Sequence, residues 1–219
     1  MGENGAHGST RLSGAPCGRA RLNKPRNPAS NPHRNSGPGS VRIVGGTWRG
    51  TRLEVPTVAG LRPTSDRVRE TLFNWLQPAL PGARVLDLFA GTGALGLEAV
   101  SRGAAQGLLV ERDAGLAAAL AATAARLPGG EAVAVHRSDA LQFAAALPTA
   151  SIDIAFVDPP FAADLWRAAL EALAPAMAEG AWLYLESSSA QPAQPGGSWR
   201  LHRELQTREA HCALYRRGG

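Results

Sequence analysis

Cysteine is nearly absent from this chain, with two residues, Cys17 and Cys212, in 219. One lies in a polar tail and the other in an apolar stretch. Such a pair makes neither a disulfide framework nor a metal knuckle, so a reducing cytoplasm is the expected compartment. Long apolar runs are also missing. None approaches the roughly 18–20 residues that a membrane span needs. The longest alanine-rich stretch, 114–127, is broken by Gly115, Thr123 and Arg126 and reads as a helix of a soluble protein. The amino terminus lacks the apolar core of a secretory signal. It is arginine-rich and poor in acids, as transit peptides are, but its Pro, Gly and Asn content argues against an amphipathic helix. Lysine is all but missing: Lys24 stands alone among 23 basic residues, which reflects base composition rather than chemistry. Large apolar side chains are scarce over residues 1–40, where Leu12 and Leu22 are the exceptions. That segment cannot bury enough surface to offset its ordering entropy and is expected to be a disordered basic tail.

What is present is positive charge, unevenly placed. The formal net charge is +5. Residues 1–40 carry six basic side chains and one acid, residues 41–77 six arginines and three acids, and residues 78–219 eleven basic and fourteen acidic side chains. The amino-terminal end is therefore the basic end, and a polyanion held from that side is the partner it fits, since phosphate contacts supply much of nucleic-acid affinity.

Order is expected from Val41. The run 41–44 alternates weakly, Gly45-Gly46 signals a turn, and 47–55 returns as a second extended piece, giving a small β appendage with Arg42, Trp48, Arg49, Arg52 and Arg62 on it or beside it. Pro63-Thr64-Ser65-Asp66 then starts a helix, with Thr64 or Ser65 as N-cap. Val68, Leu72, Trp75 and Leu76 form its apolar face, and Arg67 and Arg69 take other faces. From Arg84 onward, strand candidates at 84–89, 107–111, 132–136, 152–157 and 181–186 alternate with helical stretches at 94–102, 114–127, 139–147 and 163–177. This pattern predicts βαβ units and a parallel sheet. Two closing strands, near 199–207 and 210–216, form a hairpin and contribute one antiparallel strand. Three regions follow: a tail at 1–40, a β-hairpin and helix at 41–80, and a catalytic domain at 81–219.

Two turns carry the chemistry, each after an apolar strand and hence at the sheet edge where ligands bind in open α/β folds. The first is Asp87-Leu88-Phe89-Ala90-Gly91-Thr92-Gly93. Its glycines let the backbone approach a ligand closely. Gly91 to Gly96 formally matches a dinucleotide fingerprint, which alone is a weak signal. Asp87 argues against a pyrophosphate, because it would repel one, whereas it suits the ammonium of an amino-acid moiety. Glu111, about twenty residues on, stands where an acid accepts ribose hydroxyls. A ligand with a ribose, an amino-acid end and no phosphate is S-adenosylmethionine. Asp139, with Ala140 after it, either meets the adenine amine or simply caps a helix. The second turn is Asp158-Pro159-Pro160-Phe161. Two prolines remove two backbone donors, which leaves carbonyls and a carboxylate to accept the two hydrogens of an exocyclic amine. Phe161 offers a face for a base to stack on. No metal and no covalent nucleophile is required, since such a methyl donor is already activated.

The D-x-F-A-G-T-G cradle, Glu111 and the D-P-P-F turn, in this order, resemble the class I methyltransferases that modify exocyclic amines. More narrowly, Arg42-Ile43-Val44-Gly45-Gly46-Thr47-Trp48-Arg49-Gly50 and the run from Leu61 to Leu76 resemble the RsmD family over about residues 41–217. That resemblance implies a Rossmann-like fold with a mostly parallel seven-stranded sheet, one strand of it antiparallel, and a small N-terminal β/helix appendage. It also implies an activity: methylation of N2 of a guanine in 16S ribosomal RNA, or in the small-subunit particle, by a cytoplasmic monomer using S-adenosyl-L-methionine. By position it places the cofactor on Asp87, Phe89, Ala90, Gly91, Thr92, Gly93, Glu111, Asp139 and Ala140, and catalysis on Asp158, Pro159, Pro160 and Phe161. The RNA grip falls on Arg42, Trp48, Arg49, Arg62, Arg67 and Arg69. Competing readings are an adenine-N6 methyltransferase, which on DNA would need a larger recognition domain, an inactive RNA-binding assembly protein, and a nucleotide-linked dehydrogenase.

Overall fold

The computed structural model describes Met1 and residues 40–54, 65–160 and 165–218. The expected tail, Arg62 and Phe161 lie outside these. The compact unit Ser36–Gly219 is built on one sheet and a small arm.

The arm is a two-stranded antiparallel pair, β1 (Ser40–Arg42) and β2 (Arg52–Glu54), with Val41 opposite Leu53. The second extended piece expected from Thr47 begins only at Arg52; residues 47–50 form a turn instead. The reason is a close approach to a helix. A Cβ on Gly46, whose φ is +76°, would lie 1.9 Å from the Ser101 carbonyl oxygen, so the backbone there bends rather than extends. Helix α1 (Asp66–Leu76) follows, with the Ser65 side chain accepting from the Val68 N–H. Leu72, Phe73 and Leu76 are buried on its inner face, each contributing roughly 1.5–3 kcal/mol of transfer free energy.

The main sheet has seven strands in the order β5-β4-β3-β6-β7-β9-β8: β3 (Arg84–Asp87), β4 (Gln106–Glu111), β5 (Val133–Arg137), β6 (Ile152–Val157), β7 (Met177–Ser188), β8 (Trp199–Gln206) and β9 (Ala210–Arg217). Neighbours are parallel except around β9, which is antiparallel to both β7 and β8. The fold is thus the class I methyltransferase α/β arrangement. Helices α2 (Ala94–Ser101), α3 (Ala114–Ala125), α4 (Ala140–Ala145) and α5 (Trp166–Leu173) connect the parallel strands. One apolar cluster joins the arm, α1, α2 and α3 to one face of the sheet; a second joins α4 and α5 to the other. The helix expected over 163–177 ends at Leu173, because Pro175 cannot continue it. β7 accordingly starts four residues before the expected 181, with a register irregularity against β6 between Ile152 and Ile154.

The chain runs outward from β3 through β4 to β5, then returns to lay β6 against the other side of β3. That reversal opens a crevice between the carboxyl ends of β3 and β6, the position where such sheets bind ligands.

Candidate active site

The two turns read from the sequence meet at this crevice. Asp87 ends β3 and pairs in register with Phe156, two residues before Asp158. Asp87 is buried, and its Oδ2 accepts the Gly96 N–H at 2.9 Å. Burial first, and then the neighbouring Glu111 charge, push its carboxyl up to about 7, against the Gly96 hydrogen bond that favours the charged form. Gly93 closes the turn at φ +74°, and a Cβ there would lie 2.3 Å from the Leu120 side chain. Glu111 ties the turn to the next strand: its Oε2 accepts the Gly91 N–H at 2.9 Å and its Oε1 the Asp113 N–H at 2.7 Å. Each carboxylate oxygen keeps acceptor capacity beyond these bonds. Phe89 is half-buried, Ala90 is buried, and Gly91 and Thr92 line a small cleft together with Arg52 and Leu53 of the arm and Leu116, Leu120 and Arg126. Asp139 is the N-cap of α4, its Oδ1 accepting from Leu141 and Gln142 at 3.0 and 3.1 Å. It is exposed, with Ala140 half-buried beside it.

Beyond β6, Asp158 is half-buried, Pro159 buried and Pro160 exposed. Burial and the charges of Glu186 and Asp87 push the Asp158 carboxyl well above the usual carboxylate range. Glu186 is a site residue that the sequence reading misses. It stands on β7 directly beyond Leu185, the register partner of Val157, and accepts the buried Tyr184 hydroxyl at 2.9 Å. Its one sequence signal is an acid ending an apolar strand that neighbours the Asp-Pro-Pro turn.

This arrangement can hold a cation or amine at Asp87, a diol at Glu111 and a second amine at Asp158. The family model described as Conserved hypothetical protein 95 matches residues 41–216. The chain belongs to this family, that of the RsmD methyltransferases. It is 46% identical over 187 residues to Ribosomal RNA small subunit methyltransferase D of Escherichia coli K12, covering 84% of this chain and 93% of that one. Identity to the protein of the same name in Haemophilus influenzae is 37% over 185 residues, covering 81% and 94%. The solved structure of yhhF from Escherichia coli aligns with TM-score 0.74 at 40% identity, covering 82% of this chain and 99% of that one.

Among the residues expected to grip RNA in this RsmD-family chain, Arg42, Arg49 and Arg67 are exposed. Two others are not available for that role. Arg69 is fully buried: it donates to the Arg42 carbonyl at 2.7 Å and to Asp66 at 2.6 Å, and pairs with Glu98 at 3.4 Å. Trp48 is 4% exposed and donates its Nε1–H to the Pro128 carbonyl at 2.8 Å. Both hold the arm on the domain rather than facing a ligand. Their common anchor is the end of α2. Glu98 accepts from the Val44 N–H at 3.2 Å and from Arg102 at 2.7 Å, and Ser101 bonds Gly45, Thr47 and Trp48.

Proposed function

We propose that this chain transfers a methyl group from S-adenosylmethionine to the exocyclic N2 amine of a guanine in 16S ribosomal RNA of the small subunit, in the cytoplasm. The observation that carries the reading is the juxtaposition of the Asp158-Pro159-Pro160 turn with the Asp87 turn on adjacent strands at the sheet's reversal. The name of the relative at 46% identity supports small-subunit ribosomal RNA as the substrate.

The residues present fit the cofactor. Asp87 is a buried carboxyl with no basic side chain at ion-pair distance among the described residues, so an ammonium beside it would restore its charged form. Glu111 would accept the ribose hydroxyls, and Asp139, Ala140 and Phe89 would border the adenine. The bound cofactor supplies a methyl group already activated on a sulfonium. Asp158 and the carbonyls of the proline turn would accept the N–H groups of the amine and so aim its lone pair. As the nitrogen gains the methyl it loses a proton; with the positive charge of the bound cofactor restoring the Asp158 carboxylate, that carboxylate would be the base that receives it. Phe161 would stack on the base. Arg42, Arg49, Arg62 and Arg67 would meet phosphates.

Tritiated methyl transfer to ribosomal RNA, 30S particles and DNA in parallel, followed by nucleoside analysis, tests the reading. N2-methylguanine is expected in the RNA arms, with Asp158→Ala lowering the rate about 10³-fold while cofactor affinity stays within a few-fold. N6-methyladenine, or transfer to DNA alone, would overturn it.

A further inference from the structure

The closing hairpin reverses the charge of the domain it belongs to. Residues 78–198 carry six basic side chains against twelve acids, whereas residues 199–217 carry five arginines against two glutamates. A uniform arginine bias of the genome would not concentrate them so. The arginines are also arranged. Arg200 on β8 stands opposite Arg216 on β9, and Arg216 stands opposite Trp182 on β7, so the three form a row across three strands. The Arg216 guanidinium carbon lies 5.3 Å from the Trp182 ring centroid, and the His202 ring meets the same indole edge-on at 4.9 Å. Arg203 is the register partner of Leu214. Register partners project to the same side of a sheet, and Leu214 packs in the cluster shared with the arm and α1–α3. Arg200, Arg203 and Arg216 therefore point to the side that carries Arg42, Arg49 and Arg67.

Defence of a sheet edge explains charge on β8, the edge strand. It does not explain Arg216, which is on β9, inside the sheet. Two like charges directly opposite each other are unfavourable. None of Arg200, Arg203 and Arg216 has an acidic partner among the described residues, and all three are exposed. Exposed guanidiniums interleaved with an indole and an imidazole make a surface for phosphates and for the sugars and bases between them. Counting strand spacings and rises from Asp158, the row is about 20 Å from the reaction edge, within the span of one RNA substrate.

We infer that the β8–β9 hairpin, through Arg200, Arg203 and Arg216 with Trp182 and His202, is a second contact surface for the sugar-phosphate backbone of the RNA substrate, separate from the arm. The inference rests on the RNA substrate proposed above. Its test compares the unmodified chain with an Arg200→Gln/Arg203→Gln/Arg216→Gln variant and with an Arg167→Gln control, whose arginine lies on α5, the helix packed on the opposite face of the sheet. Binding to 16S ribosomal RNA is measured across a salt series, together with methyl transfer kinetics and a thermal melt. The hairpin variant should bind about tenfold or more weakly, with a salt slope shallower by roughly one for each phosphate that the variant no longer neutralises. KM should rise while kcat and cofactor affinity stay within about twofold. The control should bind within twofold of the unmodified chain. Unchanged RNA affinity and slope in a folded hairpin variant, or an equal weakening in the control, overturns the inference. Failure of the unmodified chain to methylate 16S RNA overturns the function instead.

Discussion

Two groups of carboxylates lie in the domain's interior and at its crevice, and they differ in what neutralises them. At the end of α2, Glu98 is fully buried and meets Arg69, Arg102 and the Val44 N–H, so its charge is matched within the chain. At the sheet edge, Asp87 and Asp158 have no basic side chain at ion-pair distance among the described residues, and both carboxyls are pushed upward by burial and by neighbouring acids. Composition does not distinguish the two groups; the company of arginine does. The paired group holds the arm in place. The crowded group leaves a deficit of positive charge that a ligand bearing an ammonium, a sulfonium or an amine would fill, and perturbed carboxyls of this kind gather where chemistry occurs.

Removing one partner from the paired group gives the largest effect expected on stability. Glu98→Ala should lower the unfolding free energy by about 3–5 kcal/mol, because two arginines are then left without their buried counter-charge. Urea denaturation measures it, and a decrease under about 1 kcal/mol would remove the distinction between the groups.

Asp87→Asn should act in the opposite sense on the free protein. In the folded chain the Asp87 carboxyl titrates at about 7, above its ordinary value of 3.8. The folded chain therefore keeps a proton that the unfolded chain has released, and this group's contribution to stability falls as pH rises from about 4 to about 7. The asparagine variant should lose that slope and be no less stable at pH 7. Its cofactor affinity should drop, and with it the pH dependence of binding. In the unmodified chain, affinity for S-adenosylmethionine should weaken about tenfold per unit below pH 7, where the carboxyl is neutral. Calorimetric titrations from about pH 5.5 to about pH 8 check both, and a pH-independent affinity in the unmodified chain would detach Asp87 from the ammonium.

The smallest effect belongs to an ion pair of good geometry in a wet place. Arg84 donates to Asp153 at 2.8 and 2.9 Å, yet both side chains are more than a third exposed. The guanidinium hydrogen bond holds the Asp153 carboxyl below its ordinary value, so its contribution is present at neutral pH and disappears as pH falls through that lowered value. Asp153→Asn should cost less than about 1 kcal/mol at pH 7, measured against Glu98→Ala in the same denaturant series.

The parallel sheet, its antiparallel strand and both ligand turns are legible in the chain because each rests on a local pattern: apolar runs of strand length, glycines at a turn, prolines after an acid. What depends on the facing element is harder to read. Charge alone suggests an outward face for Arg69, although it sits with Leu72, Phe73 and Leu76 at the i, i+3, i+4, i+7 positions of the inward stripe. Its counterpart Glu98 interrupts an otherwise apolar α2. Each is an oddity within its own helix, and the two explain each other only once the helices are packed. Trp48 carries no periodic signal at all, since its burial depends on Ser101 and Pro128, more than fifty residues away. The basic hairpin is hidden for another reason: charge averaged over 78–219 cancels five arginines against the acids before them.

Helix α2 is also a mechanical part. Its first residue follows Gly93, the end of the glycine turn, and its last, Ser101, is bonded to the arm through Gly45, Thr47 and Trp48. Eight helical residues, about 12 Å of stiff rod, thus stand between the piece of chain that would clasp RNA and the piece that would cradle the methyl donor. Two ligands gripping opposite ends of one rod share whatever energy is needed to seat it, and that sharing is reciprocal. Such a rod sets no order of arrival: whichever ligand settled first would ease the seating of the other.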